Sequence, residues 1–238
     1  MRATAVANKA MKMRALDVEI SQMSALAEKQ LNDAITAFER RDLALASDVV
    51  DHDKLIDNAQ HHIEQDAIAI LGSERLQGLA LREVLAAIKM ASELERIGDL
   101  AKNVAKRTKV ISREPISDDV SAGTAVMGRQ SLLLVSDVLD AFSARNVQAA
   151  KAVWGADDNI DELYNSLFQD TLTAMMQDPT QVNACTQLVF VAKNFERIGD
   201  HATNIAEILH FIVTGDLLHD DRPKGDETAV TSVALQDS

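Results

Sequence analysis

The sequence predicts an all-α protein of six long helices, arranged as two tandem antiparallel three-helix bundles related by internal duplication. The first observation behind this is a repeat. The string ERIGD occurs at Glu95–Asp99 and again at Glu196–Asp200, and the two copies read on as ERIGDLAKNVA and ERIGDHATNIA, identical at eight of eleven positions. From Glu95 to Glu196 is 101 residues, and self-similarity at so long a period marks a repeated structural unit. Upstream, Asp53-Lys54-Leu55-Ile56-Asp57 aligns with Asp157-Asp158-Asn159-Ile160-Asp161 at a spacing of 104 residues, as does Gln65-Asp66 with Gln169-Asp170. The three-residue change in spacing falls where Gly72-Ser73 and Asp178-Pro179 read as turns. The second observation is composition. The 238 residues are 47% hydrophobic but only 3% aromatic, with three prolines, which suits packed helices rather than sheets.

The elements follow in order. Met23, Leu26, Ala27, Gln30, Leu31, Ala34, Ile35 and Phe38 keep the helical period, so a first helix should stop near Arg40-Arg41, with Asp42 capping the next. The opening Met1–Ala15 reads either as a ragged extension of that helix or as disordered. A second helix is expected over Leu43–Leu71 and a third over Leu79–Ile111, ended by Pro115 and followed by a Ser117-Asp118-Asp119 cap. The second half repeats the plan at Asp118–Ala144, Val147–Met176 and Thr180–Val213. Asn146 and Thr180 sit where N-caps are wanted, and Gly215 where a helix should stop. The division is then 1–16 as an N-terminal extension, 17–114 and 115–215 as the two repeats, and 216–238 as a flexible tail.

Composition also excludes function classes. A net charge of −13 opposes binding to nucleic acid, whose phosphates need a basic patch. The basic stretch Lys102, Lys106, Arg107, Lys109 and Arg113 reads as complementing a helix C-terminal dipole. Apolar runs are too short to span a membrane, the N-terminus lacks a secretory signal, and the lone Cys185 suits a reducing compartment. A soluble cytoplasmic chain is expected. Met175, Met176, Phe190, Phe195 and Cys185 fit core packing. His61 and His62 are a poor chelate, and His201 reads as a surface neighbour of Asp200.

The candidate site is acidic. Residues four apart share a helix face, so Glu95, Asp99 and Asn103 form an oxygen-bearing column, and Glu196, Asp200 and Asn204 form its twin. With Asp53/Asp57 and Asp157/Asp161, each half offers two acidic pairs. Like charges at this spacing destabilise a helix by about 0.2–0.5 kcal/mol, so the arrangement calls for a counter-charge. Carboxylate and amide oxygens suit magnesium, manganese or iron, and zinc less characteristically. Gly98 and Gly199 each cost about 1 kcal/mol inside a helix, which points to close helix approach or an open ligand site. Arg96 and Arg197 are placed to pair with the neighbouring carboxylates or to bind phosphate, and the supporting role is preferred. There is no nucleophile motif, Walker loop or zinc-finger spacing.

These residues resemble the PhoU family. Leu94-Glu95-Arg96-Ile97-Gly98-Asp99 and Phe195-Glu196-Arg197-Ile198-Gly199-Asp200 fit its third-helix motifs, and Asp53–Asp57 and Asp157–Asp161 fit its acidic second-helix positions. The likeness covers about Asp17 to Gly225, and departs at the basic, Ala-rich Met1–Ala15. The resemblance implies a homodimeric cytoplasmic regulator carrying multinuclear iron or other metals on the acidic clusters. It would join the ATP-hydrolysing subunit of a phosphate-specific ABC transporter to a phosphate-sensing histidine kinase, and repress the phosphate-starvation response when phosphate is plentiful. It would meet the membrane only through these partners and bind no nucleic acid. The rival from the enzyme class is a carboxylate-bridged di-metal hydrolase or oxidase. Ferritin-like oxidases use Glu-x-x-His, but Gly98 and Gly199 stand at the histidine position, which weighs against an oxidase more than a hydrolase. A third reading is a metal-free scaffold whose acidic faces bind basic partners.

Overall fold

The computed structural model describes residues 2–73, 75–114, 116, 118–156 and 158–218. The helices are α1 (Arg2–Arg40), α2 (Leu43–His52), α3 (Lys54–Ser73), α4 (Leu79–Ile111), α5 (Asp118–Ser143), α6 (Val147–Ala156), α7 (Asp158–Gln177) and α8 (Val182–Thr214). Among the described residues there is no strand. The six-helix plan holds, with one correction: the second helix of the first repeat is broken. The break falls at Asp53, between α2 and α3; the matching Asp157, between α6 and α7, lies outside the described residues. Asp53 keeps helical angles (φ −52°, ψ −38°), so the break is a shallow kink, which the local choice of residues does not signal.

Each first helix is turned into its second by the same device. Arg41 and Arg145 adopt left-handed angles (φ 52° and 53°), an unusual conformation for a residue with a Cβ. Both turns are closed alike, with the Asp42 amide donating to Ala37 O and the Asn146 amide to Ala141 O, each at 2.9 Å. Asp42 then caps α2 through the amides of Ala44 and Leu45, and Asn146 caps α6 through those of Gln148 and Ala149, as the sequence predicts. Gly215 ends α8 at φ 85°. Thr180 is not a cap: Asp178 caps a short 3-10 turn over Pro179–Gln181, and α8 begins only at Val182. Nor do Gly72 and Ser73 make the first turn; α3 runs through both, and the positive φ of 56° is at Gly78. Pro115, Ser117 and the tail from 219 onward lie outside the described residues.

The first helix buries the stripe read from its period, with Met23, Ala27, Leu31, Ala34 and Ile35 sealed from solvent. Of the opening segment, which the sequence allows as helix or disorder, α1 takes in the residues from Arg2 onward. The most extensive contact between elements is that of α4 with α8. Arg82 donates to Ile212 O at 3.2 Å, His201 meets Glu93, and Arg107 donates to Gln187 at 2.7 Å. Numbers rise along α4 as they fall along α8, so the two helices are antiparallel and their ERIGD segments lie abreast. Helices α1, α2 and α3 pack on α4, and α5, α6 and α7 on α8, so one continuous apolar core serves both repeats. Phe195 belongs to it and Cys185 is buried, but Phe190 and Met176 are exposed, contrary to the sequence reading.

Among the described residues three glycines mark close approaches, the third being Gly123, where a Cβ would lie 2.7 Å from Leu167 Cδ2. A Cβ on Gly98 would lie 2.8 Å from Ile56 Cδ1, and one on Gly128 would lie 2.8 Å and 2.9 Å from Cζ and Cε2 of the buried Phe195 ring. Helix propensity alone favours alanine at either position by about 0.4–1 kcal/mol. Crowding should reverse that sign. Gly128→Ala is expected to destabilise by about 1–3 kcal/mol in urea unfolding, with Phe195→Leu recovering part of the loss. Gly98→Ala should cost less, because the Ile56 methyl can rotate aside and a ring cannot.

Candidate metal centre

The first acidic cluster is built where the α2–α3 kink meets α4. Asp53, at the kink, is buried. Its Oδ1 accepts from Gln30 Nε2 at 2.8 Å, and the same amide nitrogen donates to Gly98 O at 3.1 Å. Gly98 therefore admits both the Ile56 methyl and a hydrogen bond to its own backbone. From α4, Lys102 Nζ donates to Asp53 Oδ2 and to Asp99 Oδ1. Burial of the ammonium would lower its pKa, but these two carboxylates hold it well above the usual lysine range. Asp57 is exposed, yet partial burial and then the charge of Asp53 push its carboxyl up, with Lys102 opposing. Glu95 is pushed up by burial first and then by Asp99, while Arg96 opposes. Arg96 Nε lies 3.5 Å from Glu95 Oε2, and Asn103 is half-buried one turn beyond Asp99. Asp53, Asp57, Glu95 and Asp99 thus share one electrostatic neighbourhood with a lysine inside it.

The second cluster lies where α7 meets α8. Asp161 and Glu196 are buried and Asp200 is half-buried, while Arg197 is exposed; Asp157 lies outside the described residues. Lys193 Nζ is 3.0 Å from Glu196 Oε1 and 4.9 Å from the centre of the Tyr164 ring. The other oxygen, Glu196 Oε2, is buried with no hydrogen-bond partner. Burial pushes the Glu196 carboxyl up; Lys193 offsets part of this, and Asp200 and Asp161 add to it.

Asn204 does not complete the second column as expected. Its Nδ2 donates to Glu93 Oε2 on α4 at 3.0 Å, and His201 Nδ1 meets the same oxygen at 2.7 Å. His201 is accordingly half-buried between α4 and α8 rather than a surface residue. Burial by itself would push Glu93 up, but the bonds from His201 and Asn204, with the charges of His201 and Arg96, hold it below the usual range. The basic stretch also has specific partners. Beyond Lys102, Arg107 stacks 4.2 Å from the centre of the Phe190 ring, and Lys109 donates to Ser47 at 3.1 Å, so the dipole reading covers only part of it.

Among the described residues, no three carboxylate, imidazole or thiol groups are already gathered as a set of metal ligands. One described atom of the second cluster would nevertheless suit a cation. A buried carboxylate oxygen without a donor carries an unrelieved desolvation cost, and Glu196 Oε2, near Asp161 and Asp200, is such an oxygen. An oxygen-binding cation would relieve it. In the first cluster the equivalent demand is met by Lys102. Sequence reading missed Gln30, Glu93, Lys102 and Lys193. Gln30 was detectable as a polar residue within an apolar stripe; Glu93 sits on a mixed surface with no such signal.

Comparison with known proteins agrees with the duplication. The PhoU domain matches residues 20–108 and again residues 124–209. A phosphate-specific transport system accessory protein PhoU homolog of Caulobacter vibrioides is 45% identical over 214 residues, covering 89% of this chain and 92% of its own. That of Rhizobium meliloti is 39% identical over 217 residues, covering 91% and 92%. The crystal structure of PhoU from Pseudomonas aeruginosa superposes with a TM-score of 0.84 at 30% identity, covering 87% of this chain and 99% of that one.

Glu93 and Glu196 should give opposite pH signatures. The folded-state pKa of Glu196 lies above its ordinary 4.5, so the metal-free native state binds the extra proton. Stability is then lost as pH rises from 4.5 through the folded value. Glu196→Gln should raise the urea midpoint of metal-free protein at neutral pH, with the gain vanishing in acid. For Glu93 the folded value lies below 4.5, so its contribution is present above that pH and is lost as pH falls through the folded value. Glu93→Gln should cost about 1–3 kcal/mol at neutral pH, and the cost should shrink in acid.

Proposed function

The chain belongs to the PhoU family, and from that premise we propose that it is a cytoplasmic negative regulator of the phosphate-starvation response and of phosphate uptake. In this reading it is a homodimeric, metal-binding adaptor between the ATP-hydrolysing subunit of a phosphate-specific ABC transporter and a phosphate-sensing histidine kinase. The observation that carries the reading is the match of both halves to the PhoU domain, together with 45% identity to a phosphate-specific transport system accessory protein. No described helix is long and apolar enough to cross a membrane, so contact with the transporter would run through its intracellular subunit. A net charge of −13 favours docking on basic protein surfaces over nucleic acid.

Catalysis is not needed for this role. The acidic clusters serve it as places where a bound cation can fix the spacing of α3 against α4 and of α7 against α8. Residues that would hold the metal are Asp53, Asp57, Glu95, Asp99 and Asn103 in the first repeat, and Asp157, Asp161, Glu196 and Asp200 in the second, with Arg96 and Arg197 in support. Asn204 would have to leave Glu93 to join them. Iron, manganese, magnesium and zinc are the candidates, since carboxylate-rich sites accept each. When bound, the metal supplies positive charge among carboxylates that otherwise repel one another.

Deletion of the gene is expected to switch on phosphate-uptake genes in phosphate-rich medium, and the wild-type gene should restore repression. Unchanged expression in the deletion strain would overturn the regulatory role. Turnover of a phosphate ester by the purified protein, at a rate within the usual enzymatic range of about 1–1000 per second, would favour the hydrolase instead. A Glu95→Gln/Asp99→Asn/Glu196→Gln/Asp200→Asn variant that folds should be purified without metal; retention of the wild-type metal content would remove metal from the proposal.

A further inference from the structure

Phe190 and Arg107 are used neither by the core nor by the acidic clusters. Phe190 on α8 is 47% exposed, and Val110, one turn beyond Arg107 on α4, is 42% exposed. The Arg107 guanidinium lies over the Phe190 ring, and its Nη1 donates to Gln187 Oε1 at 2.7 Å. Its Nε is buried with no hydrogen-bond partner. Among the described residues no carboxylate pairs with Arg107, and burial pushes its guanidinium below the usual arginine range. A cation drawn partly out of water without a counter-charge carries an unrelieved desolvation cost. The surrounding charge is one-sided as well. In a chain of net charge −13, residues 100–113 of α4 include five basic residues and no acid, and residues 182–195 of α8 include Lys193 and no acid. Of the five, Lys102 is held by Asp53 and Asp99 and Lys109 by Ser47, whereas Lys106 and Arg113 are exposed.

We propose that the surface built on Arg107 and Phe190 docks an acidic segment of a partner protein, one that sets a carboxylate against Arg107 beside a large apolar side chain that covers Phe190. This rests on the adaptor part of the reading above and names the face of the adaptor that meets a partner. An arginine stacked on an exposed aromatic ring is the composition of an interface hot spot. A carboxylate entering beside the guanidinium would supply the missing counter-charge and an acceptor for Nε, in the paired geometry that suits arginine. Lys106 and Arg113 would steer an acidic segment toward this end of α4. Free phosphate would meet the guanidinium but leave the ring and Val110 uncovered, and the overall negative charge opposes nucleic acid.

The test begins with full-length protein in which Phe190 is replaced by the photo-cross-linker p-benzoylphenylalanine, irradiated in cells, with the cross-linked peptide identified by mass spectrometry. The expected product is a peptide of another protein that carries an Asp or Glu close to a large apolar residue. With that protein purified, calorimetric titration should show Arg107→Met and Phe190→Ala each binding about 30-fold more weakly than wild type. Reversing the partner's acid to Lys should weaken wild type similarly, and Arg107→Glu should recover part of the loss. Arg107→Met removes a partly buried charge at similar volume, so its urea midpoint should be unchanged or raised; a lowered midpoint with normal binding would make Arg107 structural and overturn the proposal. Should Arg107→Glu fail to fold, Arg107→Met and Phe190→Ala still decide. Cross-linking only to a second copy of the chain, only to lipid, or to nothing overturns the docking surface. If the deletion strain nevertheless loses repression, the adaptor reading stands without this surface; if it does not, that reading falls on its own ground.

Discussion

The antiparallel pairing of α4 with α8 is the constraint on which the rest of the molecule depends. Both helices are flanked by the other members of their repeats, so each must be apolar over most of its circumference. Helix α8 buries Ala184, Cys185, Leu188, Val191, Ala192, Phe195 and Ile198 in its first half alone. Small residues set how near the flanking helices come: Gly98 lets Ile56 of α3 in against α4, and Gly128 of α5 accepts the Phe195 ring of α8. Interiors packed to crystal-like density transmit such steric demands directly. The acidic residues inherit their positions from this packing, because the kink holding Asp53 is pressed against the turn of α4 that carries Asp99 and Lys102.

Electrostatically, the site opposes the fold that positions it. Asp57, Glu95 and Glu196 are all pushed toward protonation, with burial the first cause in each. A protein under selection for stability alone would dilute this charge. Retaining it is the pattern of a binding site, where local destabilisation is relieved by what binds. Glu93 shows the contrasting solution: an acid as close to the helix interface, made comfortable by His201 and Asn204. One carboxylate ties the repeats together; burial raises the others.

Duplication repeats backbone more faithfully than chemistry. The left-handed turns at Arg41 and Arg145 and their Asp42 and Asn146 caps recur in both halves. The cations do not, since Lys102 and Lys193 approach their clusters from opposite ends of the motif. Asn204 is drawn across to α4 for a related reason: abreast of the second motif it meets Glu93 on the partner helix. The position that matches Glu93 in the other repeat is Asn194, so the carboxylate that draws Asn204 across is present in only one copy.

The sequence by itself determined the helical class, the repeat, the helix ends at Arg40, Ile111 and Gly215, the caps at Asp42 and Asn146, and the membership of the acidic pairs. All of these depend on local signals or on internal identity: period, capping chemistry and recurrence of ERIGD. Tertiary structure alone decided what those residues touch. The kink at Asp53 lies in a run without Gly or Pro, and packing of α2 and α3 on α4 goes with it. Lys102 reads as one more cation near a helix end until the fold brings Asp53 beside it. His201 and Asn204 read as surface and ligand until α4 supplies Glu93, 108 and 111 residues away in the chain. Spacing along a helix tells which side chains share a face, but the charge facing them comes from another helix, and only folding brings the two together.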